Sequence, residues 1–234
     1  NQSGMWPAKS TNTGRVLTAF SDLEHDGDLA FLSKYDVLAY LNRYADMFGL
    51  RTRIRFGQRV DHLACVGGRW HVTCNGTDDT FDRAVVATGR FRSPAIPAVS
   101  GIRTFTGSVG VISTFAYRGA KPYVGKRVLV AGCAVSALDI ATELARLGTA
   151  RVVVTQRRQR YVLPKFAAGV PSDHRIFTRY GALATEALPP AEIDRQLKEI
   201  VVEANGSPQQ YGAPAPDPSL FAAGVTLNQG YLPL

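Results

Sequence analysis

The sequence predicts an α/β fold, with a parallel sheet in its second half and a small antiparallel β element before it. Two short apolar runs, Arg127–Ala131 (RVLVA) and Arg151–Thr155 (RVVVT), flank a stretch with helical spacing. Buried strands joined by a helix are typical of the βαβ unit of a parallel sheet. Upstream, the pair Gly67–Gly68 separates two strand-like runs, which indicates a hairpin.

Composition restricts the classes of protein to which the chain can belong. It has 234 residues, 45% of them apolar and 20% charged, as in globular proteins, and this length suits one large domain or two small ones. No stretch reaches the ~18 consecutive apolar residues of a membrane-spanning helix, and no charged-then-apolar leader opens the sequence. We therefore expect a cytoplasmic protein with no membrane span.

Cysteines, histidines and charge predict neither a metal site nor a nucleic-acid partner. Cys65, Cys74 and Cys133 are scattered and form no CxxC pair, and the four histidines have neither HxH nor HExxH spacing. The net charge of +8 suggests nucleic acid, but the basic residues are not interleaved with aromatic ones as in a nucleic-acid groove.

The first half of the chain is predicted to hold one helix and several strands. The segment through Leu23 is polar and is predicted to be loop. Tyr35–Phe48 has apolar residues at helical spacing, with Ser33 as the predicted N-cap and Gly49 after its end. Arg51, Arg53 and Arg55 alternate with less polar residues, as on a strand with one wet face. Strands are predicted for Arg53–Phe56, Val60–Val66, Arg69–Cys74, Thr80–Val86 and the apolar run Val85–Gly89, which ends in a glycine turn.

The second half follows an irregular connector over residues 94–107, which Pro94 and Pro97 begin. Between the two apolar strands, Ser136–Leu147 has the spacing of a helix with one apolar face. A second helix is predicted at Pro190–Ala204, and residues 211–218 are rich in proline.

The turn after the first apolar strand has a nucleotide-binding pattern. Gly132-Cys133-Ala134-Val135-Ser136-Ala137 is a G-x-A-x-x-A variant of the G-x-G-x-x-G/A motif. Gly132 permits the tight turn, the small Ala134 lets a pyrophosphate approach the backbone, and Ala137 permits close packing of helix and strand. The phosphates would lie on the amides of the helix N-terminus. The pattern predicts a Rossmann-like dinucleotide-binding domain.

The end of the next strand predicts which dinucleotide binds. An NAD site usually has an acid there, whereas this sequence has Thr155-Gln156-Arg157-Arg158. Two guanidinium groups suit the 2′-phosphate of NADPH, to which they donate charge-assisted hydrogen bonds. The alternative is a basic surface loop.

Several segments, in order and at similar spacing, resemble the flavin-containing monooxygenases. The resemblance runs from about Trp6 to the C-terminus and rests on FSDL (20–23), VLAYLNRYADMFGL (37–50), IRF (54–56), VVATG (85–89), Pro94–Pro97, FTG (105–107), GKRVLVAG (125–132) and SALDIA (136–141). It implies an FAD-binding domain, represented in part by residues 1–112, and an NADPH-binding domain with a C-terminal extension over residues 113–234.

The resemblance also implies an activity. NADPH would reduce FAD, O₂ would add to the flavin at C4a, and the resulting hydroperoxide would oxygenate a soft nitrogen or sulfur of a small-molecule substrate. The sequence leaves the oligomeric state open, a homo-oligomer included.

Site residues follow from the same resemblance. Asn12, in Ser10-Thr11-Asn12, matches an asparagine beside the flavin and the nicotinamide, and is the candidate catalytic residue. Thr88 and Gly89 match a turn close to the cofactor, and Val60 matches a position near the adenine of FAD. Ser136 and Arg157 match positions that contact NADP.

The sequence departs from the family pattern in ways that keep other functions open. A G-x-G-x-x-G fingerprint for FAD does not precede Trp6, and Val111 stands where the family signature has a histidine. We therefore expect an internal part of a longer enzyme, without the N-terminal fingerprint and the C-terminal part. The alternative is a non-catalytic NADP-binding remnant or subunit. The missing CxxC argues against a flavin disulfide reductase, and Phe115-Ala116-Tyr117 argues against a Baeyer–Villiger monooxygenase.

Overall fold

The computed structural model describes residues 4–89, 91 and 93–232. The chain divides into two compact units, one of residues 39–95 and a larger one formed by the segments on either side of it. None of the helices in the described part of the chain is long and apolar enough to span a bilayer.

The first two helices differ in how well the sequence predicts them. α1 (Arg15–Thr18) is one turn within the segment predicted to be loop. α2 (Lys34–Met47) confirms the predicted helix. At its start, the Ser33 hydroxyl accepts from the Asp36 amide at 3.2 Å and the Asp36 carboxylate accepts from the Ser33 amide at 2.8 Å, which is a reciprocal cap. These bonds to Ser33 lower the pKa of Asp36.

The strand predicted around Arg53–Phe56 is wrong. Gly49 turns the chain at a φ of 60°, and Leu50–Arg53 then forms a 3₁₀ helix. Arg51 pairs with Asp46 and donates to Asn42 Oδ1 at 2.8 Å, so it bonds back to the last turns of α2. Residues 51–56 are all exposed, so the alternation of the arginines does not mark a strand with one wet face.

A three-stranded antiparallel sheet dominates the smaller unit. It comprises β1 (Val60–Val66), β2 (Arg69–Cys74) and β3 (Thr77–Phe81), in the order β1–β2–β3. Gly67 and Gly68 both have positive φ, 60° and 79°, which confirms the predicted hairpin. Asn75 and Gly76 repeat this geometry at 48° and 78°, so β3 begins before the predicted Thr80.

The strand predicted over Val85–Gly89 is also wrong. These residues have no regular structure, and Val85 and Val86 are 90% and 70% exposed. A strand needs a neighbour to complete its backbone hydrogen bonds, and none of the described strands pairs with this segment. Gly89 does turn the chain, at a φ of 79°.

The βαβ unit forms as predicted in the larger unit. β4 (Arg127–Ala131), α3 (Val135–Arg146) and β5 (Arg151–Thr155) follow one another, and the two strands pair in parallel from Arg127↔Arg151 to Ala131↔Thr155. α3 buries its apolar stripe against the sheet and against Trp6 and Tyr117, whose rings meet edge to face at 5.4 Å. This confirms the predicted α/β class.

The remainder of the larger unit wraps around a second core. Its elements are β6 (Tyr161–Leu163), β7 (Phe166–Ala167), β8 (Val170–Pro171), α4 (Asp173–Ile176), α5 (Arg179–Ala187), α6 (Pro190–Asn205), α7 (Leu220–Ala223) and β9 (Val225–Leu227). α6 confirms the predicted helix and packs on β6. β6 and β9 pair in parallel, and β7 and β8 form a short hairpin.

Candidate functional site

The turn between β4 and α3 has the close packing that the motif requires. Gly132 has a φ of 127°, a backbone conformation that residues with a side chain rarely adopt. A Cβ atom there would lie 3.5 Å from the Cβ atom of Ala137. Ala137 is 5% exposed. The Gly132 amide donates to the Thr155 carbonyl at 2.8 Å, which joins the turn to the end of β5.

The N-terminus of α3 has no side-chain cap. Ala134 is its N-cap residue, exposed and extended, and its carbonyl accepts from the amides of Ala137 and Leu138 at 2.9 and 3.1 Å. Ser136 lies partly buried in the first turn. Helix N-termini carry partial positive charge. The small methyl group of Ala134 leaves space for an anion at the N-terminus of α3. These residues therefore fit a dinucleotide pyrophosphate.

Two arginines follow the end of β5 in the sequence. Thr155, Arg157 and Arg158 are all exposed. The Arg158 guanidinium donates to the Ala222 carbonyl at 3.3 Å, which leaves most of its donors for another group. The hydrogen bond from Gly132 to Thr155 joins the β4–α3 turn to the end of β5, and Arg157 and Arg158 follow Thr155 in the sequence.

Cys133, inside the turn, is a packing residue. It is 7% exposed, and burial raises the pKa of its thiol. Its carbonyl accepts from the Thr226 hydroxyl at 2.7 Å, so β9 supports the turn from beneath.

The Ser10–Asn12 loop lies in the same unit. Thr11 is held by the Leu32 backbone, donating its amide to the Leu32 carbonyl at 2.8 Å and accepting from the Leu32 amide at 3.0 Å. The Oδ1 atom of Asn12 is buried and has no hydrogen-bond partner among the described residues. A buried acceptor is costly unless something donates to it, so this atom fits a cofactor amide or ring N–H.

A polar network that sequence reasoning missed joins this loop region to α3. Asp139 pairs with Lys9 at 2.8 Å and accepts from Asn228 Nδ2 at 2.8 Å, and Asn228 Oδ1 accepts from Thr142 at 3.2 Å. The network borders a cleft of about 350 Å³. Its members are far apart in the sequence, so no local pattern could have indicated them.

The structure brings some predicted site residues together and leaves others apart. The larger unit contains the β4–α3 turn and the start of α3, with Gly132, Ala134, Ser136 and Ala137, and also Thr155, which bonds to that turn. Arg157, Arg158 and Asn12 belong to the same unit. Val60, Thr88 and Gly89 belong to the smaller unit. Val60 opens β1 and is 57% exposed, while Thr88 and Gly89 lie in the irregular segment after β3. In the described part of the chain, no group of three or more acidic, histidine or cysteine side chains could hold a metal ion.

Comparison with known families identifies the family of the chain. Residues 3–217 match the model of a family described as flavin-binding monooxygenase-like. The chain belongs to that family. This confirms the resemblance seen in the sequence, and with it the relationship to flavin-dependent monooxygenases that use FAD and NADP(H).

Individual relatives show how far the similarity extends. The chain is 32% identical over 192 residues to dimethylaniline monooxygenase [N-oxide-forming] 2 of Rattus norvegicus, covering 76% of this chain and 35% of that protein. It is 30% identical over 156 residues to a 4-hydroxybenzoate brominase (decarboxylating) of Marinomonas mediterranea, covering 64% and 30%. The chain thus spans about a third of these relatives.

A solved structure shows the same similarity in three dimensions. A cyclohexanone monooxygenase variant from Rhodococcus sp. Phi1, bound to NADP+, superposes with a TM-score of 0.55 at 26% identity, covering 78% of this chain and 34% of that one.

Proposed function

We propose that the chain is the NADPH-binding part, with some of the FAD-binding part, of a flavin-dependent monooxygenase that oxygenates a soft nitrogen or sulfur of a small molecule with O₂. The observation that carries this proposal is the uncapped N-terminus of α3, whose turn is joined by the Gly132–Thr155 hydrogen bond to a strand that Arg157 and Arg158 follow in the sequence. The name of the rat relative, N-oxide-forming, supports the nitrogen chemistry.

The residues of the larger unit have distinct roles in this proposal. Gly132, Ala134 and Ala137 let the pyrophosphate of NADPH reach the amides of α3, beside Ser136. Arg157 and Arg158 bind the 2′-phosphate, and Thr155 anchors the turn to β5. Asn12 faces the flavin and the nicotinamide with an amide that does not titrate.

A bound flavin would supply the oxygen chemistry, and residues of the chain would bind and orient it. Val60, Thr88 and Gly89 are proposed as FAD contacts from the smaller unit. The boundary near residue 112 between the two cofactor domains, and the cytoplasmic location, stay predictions from the sequence.

A visible absorption spectrum tests the proposal. The purified chain is mixed with FAD, desalted, and recorded before and after NADPH is added in air. A retained flavin that bleaches and then reoxidises, with oxygen transferred to an added amine or thioether, is the expected result. Retained flavin that NADPH does not reduce would contradict the proposal.

One observation favours a second function, a non-catalytic NADP-binding protein. The residues assigned to the nucleotide include a complete turn, whereas Thr88 and Gly89, assigned to FAD, lie in the irregular and exposed segment Val85–Gly89. Tight NADPH binding by a chain that retains no flavin after desalting would support this alternative.

A further inference from the structure

Two buried charged residues hold the loop that carries Asn12, one on each side of it. The Lys165 ammonium donates to Ser10 Oγ at 2.7 Å and to the Thr11 carbonyl at 2.8 Å. The Asp173 carboxylate accepts from the Gly14 amide at 2.5 Å. These contacts bracket Asn12 along the chain.

Both residues come from one short segment, 164–173, whose shape is fixed by internal hydrogen bonds. The Ser172 amide donates to the Lys165 carbonyl at 2.8 Å, and the Ser172 hydroxyl donates to the Pro164 carbonyl at 2.6 Å. Ser172 is 2% exposed. The hairpin of β7 and β8 thus fixes the spacing between the two charged groups, and we call this segment the loop clamp.

The charges are buried more deeply than surface residues of these types normally are. Lys165 is 9% exposed and Asp173 is 2% exposed, and burial lowers the pKa of Lys165. Burying a charge is costly unless polar partners compensate. The hydrogen bonds of the Lys165 ammonium and the Asp173–Gly14 bond go to the Ser10–Gly14 segment, which offsets part of this cost. Lys165 Nζ also lies over the Phe31 ring, 5.3 Å from its centroid, and Asp173 Oδ1 has no hydrogen-bond partner among the described residues.

Gly14 shows how closely the clamp approaches. A Cβ atom at this position would lie 3.1 Å from His174 Nε2 and 3.2 Å from Asp173 Oδ1. The φ of Gly14 is −60°, which any residue can adopt, so the restriction comes from the neighbouring side chains.

We propose that Lys165 and Asp173 are positioning residues that hold the Asn12 loop in the geometry required for the reaction. Only the role of Asn12 in the reaction rests on the proposed function. That Lys165 and Asp173 hold residues 10–14 does not depend on it. The loop clamp follows Arg157 and Arg158 in the sequence. Residues 157–173 would therefore both bind the 2′-phosphate of the nucleotide and position Asn12.

Amide hydrogen exchange in the full chain tests the grip without any cofactor. In Lys165→Met and Asp173→Asn we expect the amides of residues 10–14 to exchange about tenfold faster, since a hydrogen bond to a charged group is lost or weakened. Lys165→Arg, which keeps the charge and its donors, should stay near the parent. Lys121→Met and Asp82→Asn are matched controls at exposed positions. Unchanged exchange in both clamp variants, with the fold intact, would overturn the proposal.

A double-mutant cycle on nicotinamide fluorescence separates positioning from a merely structural role. Lys165→Met is expected to change the emission of bound NADPH, and to have no further effect in an Asn12→Ala background. Additive effects would overturn positioning through Asn12. If Asn12→Ala alone leaves the emission unchanged, the role assigned to Asn12 fails and positioning through it is overturned, while hydrogen exchange still decides the grip.

Discussion

The backbone amide of Gly132 donates a hydrogen bond to the carbonyl oxygen of Thr155 at 2.8 Å. This bond joins the turn between β4 and α3 to the end of β5, the strand that Arg157 and Arg158 follow in the sequence. We therefore expect affinity for the pyrophosphate to depend on residues of the β4–α3 turn, and selectivity for the 2′-phosphate to depend on the arginines after β5.

Arg157→Ala is expected to weaken NADPH binding by about 1.5–3 kcal/mol and to change NADH binding little, because a charge-assisted bond to the 2′-phosphate is lost. Calorimetric Kd values for both nucleotides measure this. Arg151→Ala, at the far end of β5, is the control. An equal loss for NADPH and NADH would show that Arg157 does not read the 2′-phosphate.

Ala134→Leu should weaken NADPH and NADH alike, since both carry the pyrophosphate that must approach this position. Ala134 is exposed, so the free energy of unfolding should change little. The same calorimetry, with a urea denaturation curve as control, provides the test. Unchanged affinity in the variant would remove the motif argument.

Gly132→Ala should destabilise the fold by roughly 1–2 kcal/mol, because alanine rarely adopts a φ of 127°. Urea denaturation of parent and variant measures the difference. Gly27→Ala, in the same unit, is the control for backbone strain. Gly27 also has a positive φ, but a Cβ atom there would have nothing within 4 Å. Because both positions have positive φ, a loss at both is expected if backbone strain is the cause. An unchanged free energy of unfolding in Gly132→Ala would contradict the prediction.

Cys133 should react with a thiol reagent much more slowly than Cys65. Burial raises the pKa of the Cys133 thiol and shields it, whereas Cys65 is exposed, and the thiolate is the reactive form. Mass spectrometry after timed labelling at pH 8 distinguishes the two, and unfolding in urea should abolish the difference. Rapid labelling of Cys133 in the folded chain would contradict its role as a packing residue.

Glu192 in α6 should titrate well below an ordinary glutamate. Hydrogen bonds from Arg195, then from Gln196, lower its pKa from 4.5 to about 2. Because the folded value is depressed, the stabilisation is present above about pH 4.5 and is lost as the pH falls toward 2. Carboxyl NMR titration measures the pKa of Glu192, which should rise toward 4.5 in Arg195→Gln. A pKa in that variant equal to that of the parent would show that Arg195 does not lower it.

The elements that the sequence predicted correctly are those with local causes. α3 and its flanking strands follow from apolar spacing, and the Ser33 cap and the Gly67–Gly68 hairpin follow from residue type at adjacent positions. The Asn75–Gly76 turn had the same kind of signal, and it would have placed β3 correctly.

The failures have non-local causes. Val85–Gly89 has the composition of a strand, but composition does not supply a neighbouring strand with which to pair. The grip of Lys165 and Asp173 on the Asn12 loop joins residues more than 150 positions apart, at sequence separations of 155 and 159 for Ser10 and Gly14. Such contacts depend on the tertiary fold, so a single sequence does not reveal them.

The support that β9 gives to the nucleotide turn bears on how the protein is made. Thr226 bonds the Cys133 carbonyl and Asn228 bonds Asp139, while β9 completes its ladder with β6. During synthesis, β4, α3 and β5 leave the ribosome well before these partners exist. The β4–α3 turn can therefore complete these contacts only after residues 225–228 have been synthesised. In a nascent chain stalled before Val225, the Cys133 carbonyl would lack its bond from Thr226 and Asp139 its bond from Asn228.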